Sequence, residues 1–170
     1  MGCSPHRVSP ADALEYLRMI LGVSTTKSAV IIAETEGHGA LFAVIAIRPI
    51  PFRVESGNDL VELLQSLTPI FARHCKRPNF VIALLKCSSG RFGSCLEAIK
   101  AEAVIEIAAS QNSVDLFKVA PQSLKKALTC ASDQKWRDRA AELFNSEDQH
   151  DKWSKGHAGA VSVAFKVAAE

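Results

Sequence analysis

Apolar and polar positions fall in blocks that set out an order of elements. Ser9-Pro10-Ala11-Asp12 has the marks of a helix start: a capping Ser, a Pro at the first helical position and an acid in the first turn. Leu14, Leu17 and Leu21 then recur at helical spacing and Gly22 can end the segment, so an amphipathic helix is expected over 10–21. Residues 28–33 and 40–47 are apolar runs joined by Glu34-Thr35-Glu36-Gly37-His38-Gly39, the pattern of a hairpin. Residues 49–55 read as a third strand at a sheet edge, because Pro49 and Pro51 lack the donor that a central strand needs. Ser56-Gly57-Asn58-Asp59 opens a helix whose buried face is expected at Leu60, Leu63, Leu64, Leu67, Ile70 and Phe71.

The second half continues the alternation. Residues 80–85 form an unbroken apolar run, which predicts a strand buried on both faces. Helical spacing follows over 91–110 through Leu96, Ile99, Ala103 and Ile107, with small residues at Ala98, Ala101, Ala108 and Ala109 that permit close approach to a sheet. A strand over 114–120, a short helix over 121–128, an amphipathic helix over 133–144, a polar loop and a final Ala/Val-rich helix over 156–169 complete the order. Two fully buried strands among helices imply a mixed sheet covered on both faces, an α/β fold with an additional N-terminal helix. The division expected is a tail and helix over 1–27 and one domain over 28–170.

Composition narrows the class without naming a function. At 170 residues, 48% apolar and 22% charged, the chain reads as one soluble globular domain, not a disordered or fibrous one. No apolar run approaches the ~18 residues of a membrane span, and the N-terminus lacks a lipidation pattern, so no membrane association is expected. The five cysteines (Cys3, Cys75, Cys87, Cys95 and Cys130) are odd in number and contain no CxxC, which favours free thiols and a cytoplasmic setting. Cys87 and Cys95 are expected as buried small apolar residues.

The formal charge of +2 hides a segregation. Residues 73–100 hold Arg73, Lys76, Arg77, Lys86, Arg91 and Lys100 against Glu97 alone, whereas the flanking segments are each slightly acidic. Arg73, Lys76 and Arg77 precede the buried strand and Lys86 follows it, so they belong to opposite ends of that strand. No Gly-x-Ser-x-Gly or His-Glu-x-x-His motif occurs. Ser88-Ser89-Gly90-Arg91-Phe92-Gly93-Ser94 reads as a turn, or as a cradle for one phosphate through backbone N–H groups and Arg91.

Three stretches carry a resemblance. They are Phe80-Val81-Ile82-Ala83-Leu84-Leu85 with Gly90-Arg91-Phe92 and the helix after it, Phe117-Lys118-Val119-Ala120-Pro121-Gln122-Ser123-Leu124-Lys125-Lys126-Ala127-Leu128, and His157-Ala158-Gly159-Ala160-Val161-Ser162-Val163-Ala164-Phe165. In order and spacing the chain over 28–169 resembles the ribonuclease-H-like superfamily. The likeness is to the RuvC Holliday-junction resolvase group and to a small bacterial family of unknown function. The resemblance implies a ribonuclease-H-like mixed five-stranded sheet. It also implies phosphodiester hydrolysis by two divalent ions, held roughly 4 Å apart by acids at the ends of the first and fourth strands and the start of the last helix.

Carried onto this chain, the first-strand acid falls on Glu34 (or Glu36), the fourth-strand acid on Leu84 or Leu85, and the last-helix acid on His157. Two of those three positions lack a carboxylate, so a normal two-metal site is not expected, and neither is a cofactor. A displaced site, requiring Mg or Mn, would use Glu34, Asp151 and His157 as catalytic groups, with Glu34 and His157 on the metal; Glu102 and Asp148 are further candidate acids. Nucleic-acid contacts are expected at Lys86, Arg91, Lys125 and Lys126. The reading is a nucleic-acid or nucleoprotein binder without nuclease activity. The alternatives are an immunity-type protein-interaction module that pairs with a partner or a second copy through helix 10–21, and a metal-dependent endonuclease.

Overall fold

The computed structural model describes residues 18–87, 95–144 and 153–170. Five strands form one sheet: β1 (Met19–Thr25), β2 (Ala29–Glu36), β3 (Ala43–Pro51), β4 (Val81–Leu85) and β5 (Asp115–Val119), in the order β3-β2-β1-β4-β5. β2 runs antiparallel to β1 and β3, while β1, β4 and β5 are parallel. The helices are α1 (Gly57–His74), α2 (Leu96–Gln111), α3 (Pro121–Ala127), α4 (Trp136–Phe144) and α5 (Lys155–Ala168).

The central strand departs most from expectation. Met19–Thr25 is β-strand, so the helix over 10–21 does not extend through Leu21, and residues 10–17 lie outside the described residues. Leu21 does not continue a helical stripe; Met19-Ile20-Leu21-Gly22-Val23 is a continuous apolar run, as a strand covered on both faces requires. Leu21 is fully buried and offers nothing to a partner. Gly22 is a point of close approach, not a helix end: a Cβ there would lie 1.9 Å from the Ala160 carbonyl oxygen of α5. The domain limit expected at residue 28 therefore falls behind the strand at the centre of the sheet.

Side-chain alternation assigns the two faces. Leu21 and Val23 of β1, Val30 and Ile32 of β2, and Ile82 and Leu84 of β4 pack with Leu63, Leu67 and Phe71 of α1 and Val104, Ile105 and Ala108 of α2. Ile20, Ile31, Ala33, Val81 and Ala83 point the other way, onto Ala160, Val161, Val163 and Ala164 of α5. The small residues of α5 let it lie tightly along β1.

Local signals held in several places. Ser56 and Asp59 form a reciprocal capping box at the start of α1, and the helix buries Leu63, Leu67 and Phe71 as its periodicity required. β3 lies at the sheet edge, with Pro49 and Pro51 inside it; it joins the end of the 40–47 run to the start of the 49–55 run in one strand. α2 is turned from its expected orientation. Leu96, Ile99 and Ile107 are 61%, 45% and 49% exposed, whereas Ala98, Ala101, Val104, Ile105 and Ala108 are buried. The helix is apolar on both sides, and its alanine-rich side allows the closer approach to α1 and the sheet.

Candidate functional site

β1, β4 and β5 end at one edge of the sheet, where α/β folds commonly bind ligands. At that edge the chain presents Ser24 and Thr25 after Val23, Leu85 followed by Lys86 and Cys87, and Pro121 just beyond β5. The pairing of Val23 with Leu84 sets Ser24 and Leu85 side by side, both toward α5. The Lys86 N–H donates to the Val119 carbonyl at 2.9 Å, which fixes the exit of β4 against β5.

The first turn of α5 lies on Ser24 and Leu85. Ser24 Oγ donates to the Gly156 carbonyl at 2.6 Å and is buried. A Cβ at Gly159 would stand 2.9 Å from Leu85 Cδ2 and 3.0 Å from Ser24 Cβ, and one at Gly156 would stand 2.6 Å from Ile31 Cγ1. The resemblance puts metal-binding groups at three places: the end of the first strand, the end of the fourth and the start of the last helix. Among the described residues they hold Ser24, Leu85, Gly156, His157 and Gly159, with no carboxylate. Magnesium takes hard oxygen ligands and favours carboxylates, so this donor set does not fit a pair of divalent ions. Among the described residues no group of three or more His, Cys, Asp or Glu is placed to hold a metal.

Glu34 lies elsewhere because the first strand is β1, not β2. Glu34 pairs with Leu21, about 10 Å along β1 from Ser24. By the alternation of β2 it shares the α1 face with Val30 and Ile32. There its Oε1 is 3.2 Å from Arg48 Nη2. Nearby on α1, His74 is buried and neither ring nitrogen has a hydrogen-bond partner. Burial pushes the His74 pKa down; the Glu34 carboxylate opposes that, and Arg77, Arg73 and Arg48 reinforce it.

His157 is on α5, across the sheet from Glu34, so the structure does not bring these two together. Its Nδ1 accepts from the Ser154 N–H at 3.2 Å and lies 2.6 Å from Ser154 Oγ, while the His157 N–H donates back to that oxygen. This capping box starts α5, and burial pushes the His157 pKa down. Asp148 and Asp151 lie outside the described residues. Glu102 on α2 accepts the Cys87 N–H at 3.1 Å, a buttress for the chain leaving β4. Glu36 pairs with Arg77 at 3.3 Å.

Beside the α5 contact a cleft of about 230 Å³ opens, walled by Thr25, Thr26, Leu85, Cys87, Cys95, Ala98, Pro121 and Trp136 and carrying Lys27, Lys86 and Arg137. Among the described residues its lining contains no carboxylate. Cys87 and Cys95 are half-buried in its wall, not core residues as expected. Cys87 Sγ is 3.2 Å from Thr25 Oγ1, and burial pushes its thiol pKa up. At the rim Cys95 Sγ donates to Glu97 at 2.8 Å. That bond first, and the charges of Lys27 and Lys100 further, hold the Glu97 carboxyl below its usual range.

Of the expected nucleic-acid contacts, Lys86 lines the cleft, Lys125 and Lys126 are exposed on α3 just beyond it, and Arg91 lies outside the described residues. Lys27 and Arg137 were not singled out from the sequence. They come from the β1–β2 turn and the start of α4, 110 positions apart, and no count along the chain groups them. Arg73, Lys76 and Arg77 stand before β4, at the opposite end of the sheet.

No family model matches the chain, and no curated protein does. Solved structures do. RuvC of T. thermophilus in complex with a Holliday junction substrate matches with a TM-score of 0.69 at 13% identity, over 88% of this chain and 92% of that one. A second Thermus thermophilus RuvC structure gives 0.66 at 14% identity, over 87% and 92%. The fowlpox virus Holliday junction resolvase gives 0.53 at 13%, over 88% and 97%. At such identities the likeness establishes the fold, which is ribonuclease-H-like and of the RuvC type.

Proposed function

We propose that this chain binds nucleic acid with a RuvC-type fold and does not cleave it. The observation that carries the reading is the contact of Gly156 and Gly159 with Ser24, Leu85 and Ile31, which among the described residues puts no carboxylate where this fold would hold its metals. The adjoining cleft supports the binding half, since the charged residues described in its lining are all cationic. A solved structure of the same fold holds a Holliday junction. Lys86, Lys125 and Lys126 then contribute to a surface that neutralises phosphates.

The test is a titration of labelled four-way junction, duplex and single strand at low salt, followed by incubation with Mg²⁺ or Mn²⁺. The expected result is binding that weakens steeply with added salt, with every substrate left intact. Absence of binding to all three would remove the reading. Cleavage abolished by Glu34→Ala or His157→Ala would replace it with the displaced metal site.

A second reading, a protein-interaction module, is favoured by one observation: Leu96, Ile99 and Ile107 form an exposed apolar stripe along α2. Light scattering of the wild type and of an Ile99→Glu variant separates it. A change of mass on substitution supports the stripe as an interface.

A further inference from the structure

We propose that Lys27, Lys86 and Arg137 hold a phosphodiester group in the cleft without any divalent ion, supplying from side chains the positive charge that bound metals supply in a two-metal nuclease. The proposal rests on the reading that this chain binds nucleic acid and names the contact that does it.

Three observations converge. The first is position: the three cations come from separate parts of the chain and line one cleft of about 230 Å³, where β1, β4 and β5 end. The second is availability. Among the described residues none of the three makes an ion pair, a state they share with most of the chain's other Lys and Arg side chains. Carboxylates lie nearby, but Glu102 is engaged by the Cys87 N–H behind the wall and Glu97 by the Cys95 thiol at the rim.

The third is anchorage. Lys27 sits in the turn that Thr26 and Ala29 close through three hydrogen bonds of 2.9 to 3.0 Å. Lys86 is tied to Val119 by its own N–H. The Arg137 guanidinium lies 5.0 Å from the centre of the Trp136 ring, a cation–π contact that limits its rotamers. The backbone bonds fix where Lys27 and Lys86 leave the chain, and the Trp136 contact restricts the Arg137 side chain itself, which loses less freedom when an anion arrives. The same three charges repel Mg²⁺, so the site selects against the ion that a catalytic version would need.

The experiment is fluorescence anisotropy of a labelled four-way junction and a single strand, each in EDTA and in Mg²⁺. The proteins are wild type, Lys27→Ala, Lys86→Ala, Arg137→Ala and the distant Lys76→Ala. The expected result is binding in EDTA at least as tight as in Mg²⁺, weakened about tenfold by each cleft substitution and unchanged by Lys76→Ala, as expected for lost charge-assisted contacts. Binding that requires Mg²⁺, or cleft variants that bind like wild type, would overturn this site while leaving nucleic-acid binding in place. No binding under any condition would overturn both. Titration with a nucleoside monophosphate is the last arm: saturable binding of it without binding of either polymer reassigns the cleft to free nucleotides and also overturns the proposal.

Discussion

The two ends of the parallel strands use charge differently. Where β4 begins and β2 finishes, two carboxylates are paired with arginines, Glu34 with Arg48 and Glu36 with Arg77, around a buried His74, and Arg73 and Lys76 stand near them without an ion pair among the described residues. Where β1, β4 and β5 finish, Lys27, Lys86 and Arg137 line a cleft with no carboxylate among the described residues of its wall. Matched charge neutralises itself and serves the fold. Unpaired charge lining a cleft leaves an attraction to be satisfied from outside. The difference teaches that the acid most prominent in the sequence, Glu34, is held in an ion pair with Arg48, away from the cleft.

The largest effect should come from forcing an acid into the ligand end. Gly159→Asp places a Cβ against Leu85 and Ser24 and a carboxylate among buried atoms; urea unfolding should show a loss of about 3 kcal/mol, with no nuclease activity gained. A fully stable, cleaving Gly159→Asp protein would break the claim that this end is packed shut. Next in size are Lys86→Ala and Arg137→Ala, which should weaken nucleic-acid binding about tenfold with the thermal midpoint unchanged.

The matched end should respond to pH instead. The pKa of His74 is held below its ordinary value of 6.5 chiefly by burial. The unfolded chain therefore takes up the proton first as pH falls. The stability that depends on neutral His74 is present above about 6.5 and declines between there and the lowered folded value. Unfolding measured from neutral pH down to about pH 5 should show this decline in wild type and a flatter profile in His74→Leu. Identical profiles would mean that His74 does not govern that end. The smallest effect is expected from Arg77→Ala, which removes a half-exposed pair with Glu36 and should cost under about 1 kcal/mol.

Much of the architecture was legible where local chemistry decides it. Ser56 and Asp59 announced α1, the Pro49/Pro51 pair announced an edge strand, and the apolar run over 81–85 announced a strand buried on both faces. The resemblance carried the fold class. The central strand was not legible, because Leu21 lies at helical spacing from Leu14 and Leu17 and Gly22 follows where a helix end is expected. The true reason for Gly22 is the Ala160 carbonyl packed on it from 138 positions away. That one displacement moved the first strand to β2 and the expected acid to Glu34. With β1 in place, the same reasoning points to Ser24. His157 was similarly drawn toward metal chemistry by its place at a helix start, where it serves as a cap. The orientation of α2 escaped because a helix apolar on two sides has no single stripe to read.

The most direct test of the central claim is one gel. A labelled four-way junction is incubated with the wild-type protein at low salt, in Mn²⁺ and in EDTA, then run under native and denaturing conditions. The account predicts a retarded complex in both incubations and full-length strands in both. Shortened strands in the Mn²⁺ incubation, or no retarded complex in EDTA, would contradict it.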